Sequence, residues 1–98
     1  MMHNKIELKG FNTLKRLVGN QYGQEVYKTQ IESSMKKDCK NVIIFPQQIE
    51  GIAMSFIEGM LDAMKSQVLR RDFYKYFDIQ GNEKVIKKFQ DVIFMGDD

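Results

Sequence analysis

Ser55 is the hydroxyl best placed for chemistry, because it follows an apolar run and a polar turn and opens an amphipathic stretch. A helix presents unpaired N–H groups at that end, so a serine there serves as a cap, an anion contact or a phosphate acceptor. The other reactive residue types lack partners. His3 is the single histidine and sits at the start of the chain, and Cys39 has no second histidine to activate it. Neither a Cys–His pair nor a Ser–His–Asp set can be assembled, and no spacing suits zinc. Glu50, Glu58 and Asp62 fall on a loop and a helix face without a second feature to pair them as acid and base, so they read as solvated charges. Gly19 and Gly23 are not followed by the Lys-Ser/Thr of a phosphate loop. The expectation is a protein that is not an enzyme and needs neither cofactor nor metal.

The elements that must position Ser55 lie in the string NVIIFPQQIEGIAMSFIEGMLDAM, which begins at Asn41. The apolar run 42–45, closed by Pro46, predicts a central strand buried on both faces. Gln47, Gln48, Glu50 and Gly51 then make a polar turn, with Ile49 and Ile52 left for the core. Beyond Ala53 the residues Phe56, Met60, Met64 and Val68 recur at helical spacing, flanked by Ile57 and Leu61, while Glu58, Asp62 and Lys65 fall off the stripe. Gly59 inside this helix costs about 1 kcal/mol relative to Ala, which predicts a close backbone approach from the sheet beneath or a partner above. Met54, Met60 and Met64 fill a core or line an adaptable binding surface.

This stretch resembles the STAS domains of the anti-anti-sigma-factor type, and more closely the STAS-like branch of prokaryotic and phage genomes. In that family a hydrophobic strand, a loop and a helix start carrying Ser or Thr form the signalling surface. Counted from the strand, Ser55 lies at the family's phosphorylated serine, and Ser55-Phe56 is similar to the Ser-Phe that opens the helix in the STAS-like branch. Phe45 stands where the parent family has Asp, and Ala53-Met54-Ser55-Phe56 where it has an Asp-Ser-Ser-Gly type motif. The resemblance implies an α/β fold, STAS-like, with a mixed, mostly parallel sheet and helices packed mainly on one face. It also implies a protein-interaction module that docks a partner through Gln47, Gln48, Glu50, Gly51, Met54, Ser55, Glu58 and Gly59. The implied partner is a histidine-kinase-like ATPase that acts as anti-sigma kinase, with Ser55 as the phosphate switch. A different class of reading is a stand-alone inhibitor or adaptor of a phage or mobile element, using the same fold as a scaffold.

Length bounds these readings: 98 residues make one domain, 1–98, with a single core. At 43% hydrophobic and 29% charged residues, the composition is that of a globular chain and not a disordered one. No apolar run approaches the roughly 18 residues of a membrane span, and the first residues lack a signal-peptide core. With Cys39 alone, a cytoplasmic location is expected and no membrane role. A net charge of +2 is a weak attraction for polyanions. The mixture of bases and rings in 70–77 fits a single-strand nucleic-acid surface, yet a strand with rings in the core explains it as well, and nucleic acid is not the expected partner.

The remaining pattern predicts a strand over 5–9, either a strand or a helical turn within 11–18, and a break at Gly19-Asn20-Gln21-Tyr22-Gly23. A helix follows over 24–38, then, after the Ser55 helix, a strand over 74–79. Asn82 caps a last helix that buries Val85, Phe89, Val92 and Ile93. Such alternation favours parallel neighbours in the sheet. Loose ends are expected at 1–4 and 96–98, and the oligomeric state is left open.

Overall fold

A computed structural model describes residues 3–95 of the chain. The order is β1 (Asn4–Glu7), β2 (Arg16–Leu17), α1 (Asn20–Val26) continued by a π-helical turn Tyr27–Ile31, β3 (Asn41–Ile44), β4 (Gly51–Ile52), and α2 (Met54–Met64). A 3-10 turn, Arg70–Asp72, then leads into α3 (Phe73–Tyr76), β5 (Phe77–Gln80) and α4 (Glu83–Met95). Strands β1, β3 and β5 form a parallel sheet in that order, and β2 pairs with β4 in a separate parallel ribbon. The architecture is therefore mixed α/β, parallel throughout the described pairings, with four α-helices.

Side-chain alternation assigns the two faces of the sheet. Ile6, Ile43 and Ile79 share one register row and are buried against the helices. On the other face Lys5, Glu7, Asp78 and Gln80 are exposed. The central strand is buried on both faces, as expected, except at Ile44. Ile43 belongs to the core cluster, and on the other face Val42 is buried between its register neighbours Lys5 and Asp78, while Ile44 is half-buried. The core below is rich in rings: Phe73 stacks on Phe77 at 5.3 Å and on Phe89 at 6.0 Å, and Phe89 reaches Phe45 at 5.7 Å. The helical residues Val85, Phe89, Val92 and Ile93 are all buried, and Asn82 Oδ1 accepts the Lys84 N–H at 2.9 Å, as a cap.

Helices α1 and α2 cross at two glycines. A methyl group on Gly23 would collide with the Phe56 carbonyl, and one on Gly59 with the Asn20 carbonyl. The backbone that approaches Gly59 belongs to a neighbouring helix, not to the sheet or to a partner. The same packing corrects the expected break at 19–23. Asn20 to Gly23 are helical, and Gly23 is present for close approach, not to end a helix. Helix 24–38 also ends sooner than its periodicity suggests, with the π turn closing at Ile31. Beyond it the chain folds around Asn41, whose fully buried amide accepts from Asn4 Nδ2 at 2.7 Å and Lys36 N at 2.8 Å. The same amide donates to Lys36 O at 2.6 Å and Tyr76 O at 3.0 Å.

Two further expectations change. The strand over 74–79 begins only at Phe77, because 70–76 is helical and uses Phe73 as a core residue. In the segment 11–18, left open between strand and helical turn, a turn at Asn12 and Thr13 precedes the short β2. Asn4 is no loose end, since it opens β1 and donates to both Asn41 and Ser34. The expected looseness of residues 1, 2 and 96–98 lies outside the described residues.

Candidate functional site

Ser55 is held at a junction of two chain segments. The β2–β4 ribbon pairs Arg16 with Gly51 and Leu17 with Ile52, and the Ala53 N–H donates to the Leu17 carbonyl at 2.8 Å. The Glu50 N–H reaches Lys15 O at 2.8 Å, and Gln48 Nε2 donates to Asn12 O at 2.6 Å and Leu14 O at 3.0 Å. These bonds join 12–18 to 48–53. Leu17, Ile49 and Ile52 point inward and are buried, which turns their neighbours outward. Ala53, in extended backbone, is the N-cap position of α2, so Ser55 is the second helical residue and not the cap. Its exposed Oγ accepts the Gly19 N–H at 3.0 Å, and Gly19 has φ +107°, a backbone region that favours glycine, just before α1 begins. One hydroxyl therefore ties together the starts of two helices.

Of the expected surface residues, Gln47, Gln48, Glu50, Met54 and Ser55 are exposed and Gly51 is half-exposed, all around this junction. Glu58 is half-buried and turned to a different neighbour, and Gly59 is buried beneath α1, so Gly59 offers no surface. Two apolar residues whose helical spacing within 11–18 did not mark them as surface are exposed on either side of β2. Val18 is 54% exposed and Leu14 46%, and Met54, which opens α2, is 41% exposed. The signal for them was weak, because a two-residue strand carries almost no periodicity. Arg16 also reaches this side: its guanidinium Nη1 lies 3.2 Å from where a side chain on Gly51 would begin.

Further along α2 lies a second region, a cleft of about 400 Å³ lined by Glu58, Leu61, Asp62, Lys65, Leu69, Arg70 and Arg71. Arg70 makes a two-pronged pair with Glu58, at 3.1 and 3.2 Å, and donates to the Val92 carbonyl of α4 at 2.6 Å. Asp62 faces Lys65 at 3.6 Å and accepts from Asn20 Nδ2 at 3.1 Å. With Arg70 so engaged and Phe73 and Phe77 in the core, the bases and rings of 70–77 do not form one shared face. Tyr74 stacks on the exposed Phe94 at 5.8 Å, and its buried hydroxyl is without a partner among the described residues. Burial, with a smaller contribution from Asp78, pushes the Tyr74 phenol up to about 12. Tyr27, which donates to Gln67 Oε1 at 2.5 Å, is raised as well, by burial first and Glu32 second.

Among the described residues no three His, Cys, Asp or Glu side chains converge as metal ligands, and no helix is long and apolar enough to cross a membrane. The fold and the site define a small α/β domain with a parallel sheet and an exposed serine at a helix start. A scan against protein-family models finds no match, and searches of curated proteins and of solved structures likewise return no significant relative.

Proposed function

We propose that the chain is a STAS-like interaction module that docks another protein through the junction around Ser55. The observation that carries this reading is the pair Val18 and Met54, apolar and exposed on the two segments that the Ser55 hydroxyl joins, on a backbone locked by the β2–β4 ribbon. An apolar centre with a polar rim of Gln47, Gln48 and Glu50 matches the anatomy of a protein interface. By the resemblance around Ser55, the partner is a histidine-kinase-like ATPase and Ser55 its phosphate acceptor. A phosphate adds roughly −2 charge at the start of α2, which favours the helix but repels an acidic partner surface. Phosphorylation would also alter the contact that Ser55 Oγ accepts from Gly19, and with it the entry to α1.

The test compares partner binding by Ser55→Asp and Ser55→Ala, with intact-mass measurement of the protein recovered from its own cells. The switch predicts an added phosphate on Ser55 and weaker binding by Ser55→Asp than by Ser55→Ala. Equal effects and an unmodified mass would remove it. A second reading, a stand-alone inhibitor or adaptor of a phage or mobile element, draws on the same hydrogen bond. A hydroxyl already committed to Gly19 serves the fold without modification. That reading predicts a partner bound equally by all three forms.

A further inference from the structure

We propose that the cleft beside the second half of α2 binds a small organic anion, a carboxylate or phosphate monoester carried on an apolar body. Its volume, about 400 Å³, falls in the size range of small-molecule sites, roughly 300–1,000 Å³. The charges inside it decide the sign of the ligand. Both carboxylates of the lining are already engaged: Glu58 takes both prongs of Arg70, and Asp62 faces Lys65 and Asn20. Arg71 is exposed and has no carboxylate within ion-pair distance among the described residues, so it is the surplus cation of the cleft. Arg70 is fixed in place by Glu58 and by the Val92 carbonyl, so its charge stays in the wall of the cleft. A site whose acceptors are occupied and whose donors are in excess selects an acceptor-rich group.

The apolar half of the ligand follows from the rest of the lining. Leu61 is buried at the floor and Leu69 is 51% exposed at the lip, where an alkyl or aryl stem would cover it. Arg71 is exposed and can swing onto an anion without breaking an existing ion pair among the described residues. An amine ligand would find no free carboxylate here and would face Arg71. This assignment is independent of the role of Ser55.

The test is a titration of the full ¹⁵N-labelled chain, followed by its amide NMR signals, with hexanoate and phenyl phosphate. Hexanol, hexylammonium and inorganic phosphate are the matched probes. The expected result is saturable shifts at Leu61, Lys65, Leu69 and Arg71 with the two organic anions, weakened by added salt. Arg71→Gln should weaken binding by about tenfold while leaving distant signals in place. Ser55→Ala should leave the titration unchanged. Saturation by hexanol or hexylammonium at similar concentrations, indifference to Arg71→Gln, or no saturable shift with either organic anion would overturn the assignment. Inorganic phosphate binding as tightly as phenyl phosphate would contradict the apolar half of it.

Discussion

Helix α2 serves two surfaces that differ in how their polar groups are used. Around Ser55 the polar groups hold backbone to backbone, through ribbon bonds, the Gln48 amide and the Ser55 hydroxyl, while the apolar Val18 and Met54 stand in solvent. Around Arg70 the side chains are paired and the surface is concave, with Glu58 and Asp62 both engaged and Leu61 recessed. An exposed apolar patch on a fixed backbone gains most by burial against another protein, whereas a concave site with surplus donors gains most from a small acceptor. The difference follows from position along one helix. Ser55 and Glu58 lie three residues apart, yet the first meets Gly19 at α1's start and the second meets Arg70 in the 65–72 connection, while Asp62 touches both sides through Asn20 and Lys65.

The largest expected effect removes the scaffold common to both. Gly59→Ala or Gly23→Ala puts a methyl group into the backbone of the opposing helix and should cost about 2–4 kcal/mol, measured by urea unfolding. Gly51→Ala, which meets only the flexible Arg16 side chain, should cost less than about 1 kcal/mol. Similar values for the three would remove the close crossing from the account. Next, Arg70→Met should cost about 1–2 kcal/mol, a figure already reduced because Glu58 is partly solvated. Its amide signals should move around Glu58 and Val92 and stay fixed at Gly19. Movement at both regions would mean that they are one unit.

Much of this organisation was legible in the sequence, for identifiable physical reasons. The stripes Phe56, Met60, Met64 and Val85, Phe89, Val92 are long enough for periodicity to speak, and both are buried as expected. The cost of Gly59 signalled a close approach but not its source, since Asn20 is distant in sequence and sits in what reads as a glycine break. Aromatic-rich 73–77 has strand-like composition, yet tertiary packing of Phe73 against Phe77 and Phe89 keeps 73–76 helical. The Ser55 position was readable from the helix start. Val18, Leu14 and Arg71 were not, because their roles depend on which neighbours the fold leaves unpaired.

Ser55→Ala gives a smaller effect, about 0.5–1.5 kcal/mol, from the lost Gly19 bond. Its signals should change at Gly19 and the start of α1 only. The smallest effect near neutrality is that of pH. Tyr74 is neutral when protonated, and its native value of about 12 lies above the ordinary 10.0, so the folded state keeps the proton longer. The resulting stability is fully present below about pH 10 and declines as pH rises toward 12; Tyr27 acts in the same direction. Tyrosinate absorbance and unfolding followed together should therefore show alkaline loss beginning near Tyr74 and Phe94, with the Ser55 junction retained until global unfolding.

The most direct test of the docking claim is a quantitative pull-down from the protein's own cells with four baits: wild type, Met54→Glu, Val18→Glu and Arg71→Gln, each confirmed folded. The account predicts a partner retained by wild type and Arg71→Gln and lost by the two variants beside Ser55. Equal recovery with all four baits, or loss with Arg71→Gln alone, would contradict it.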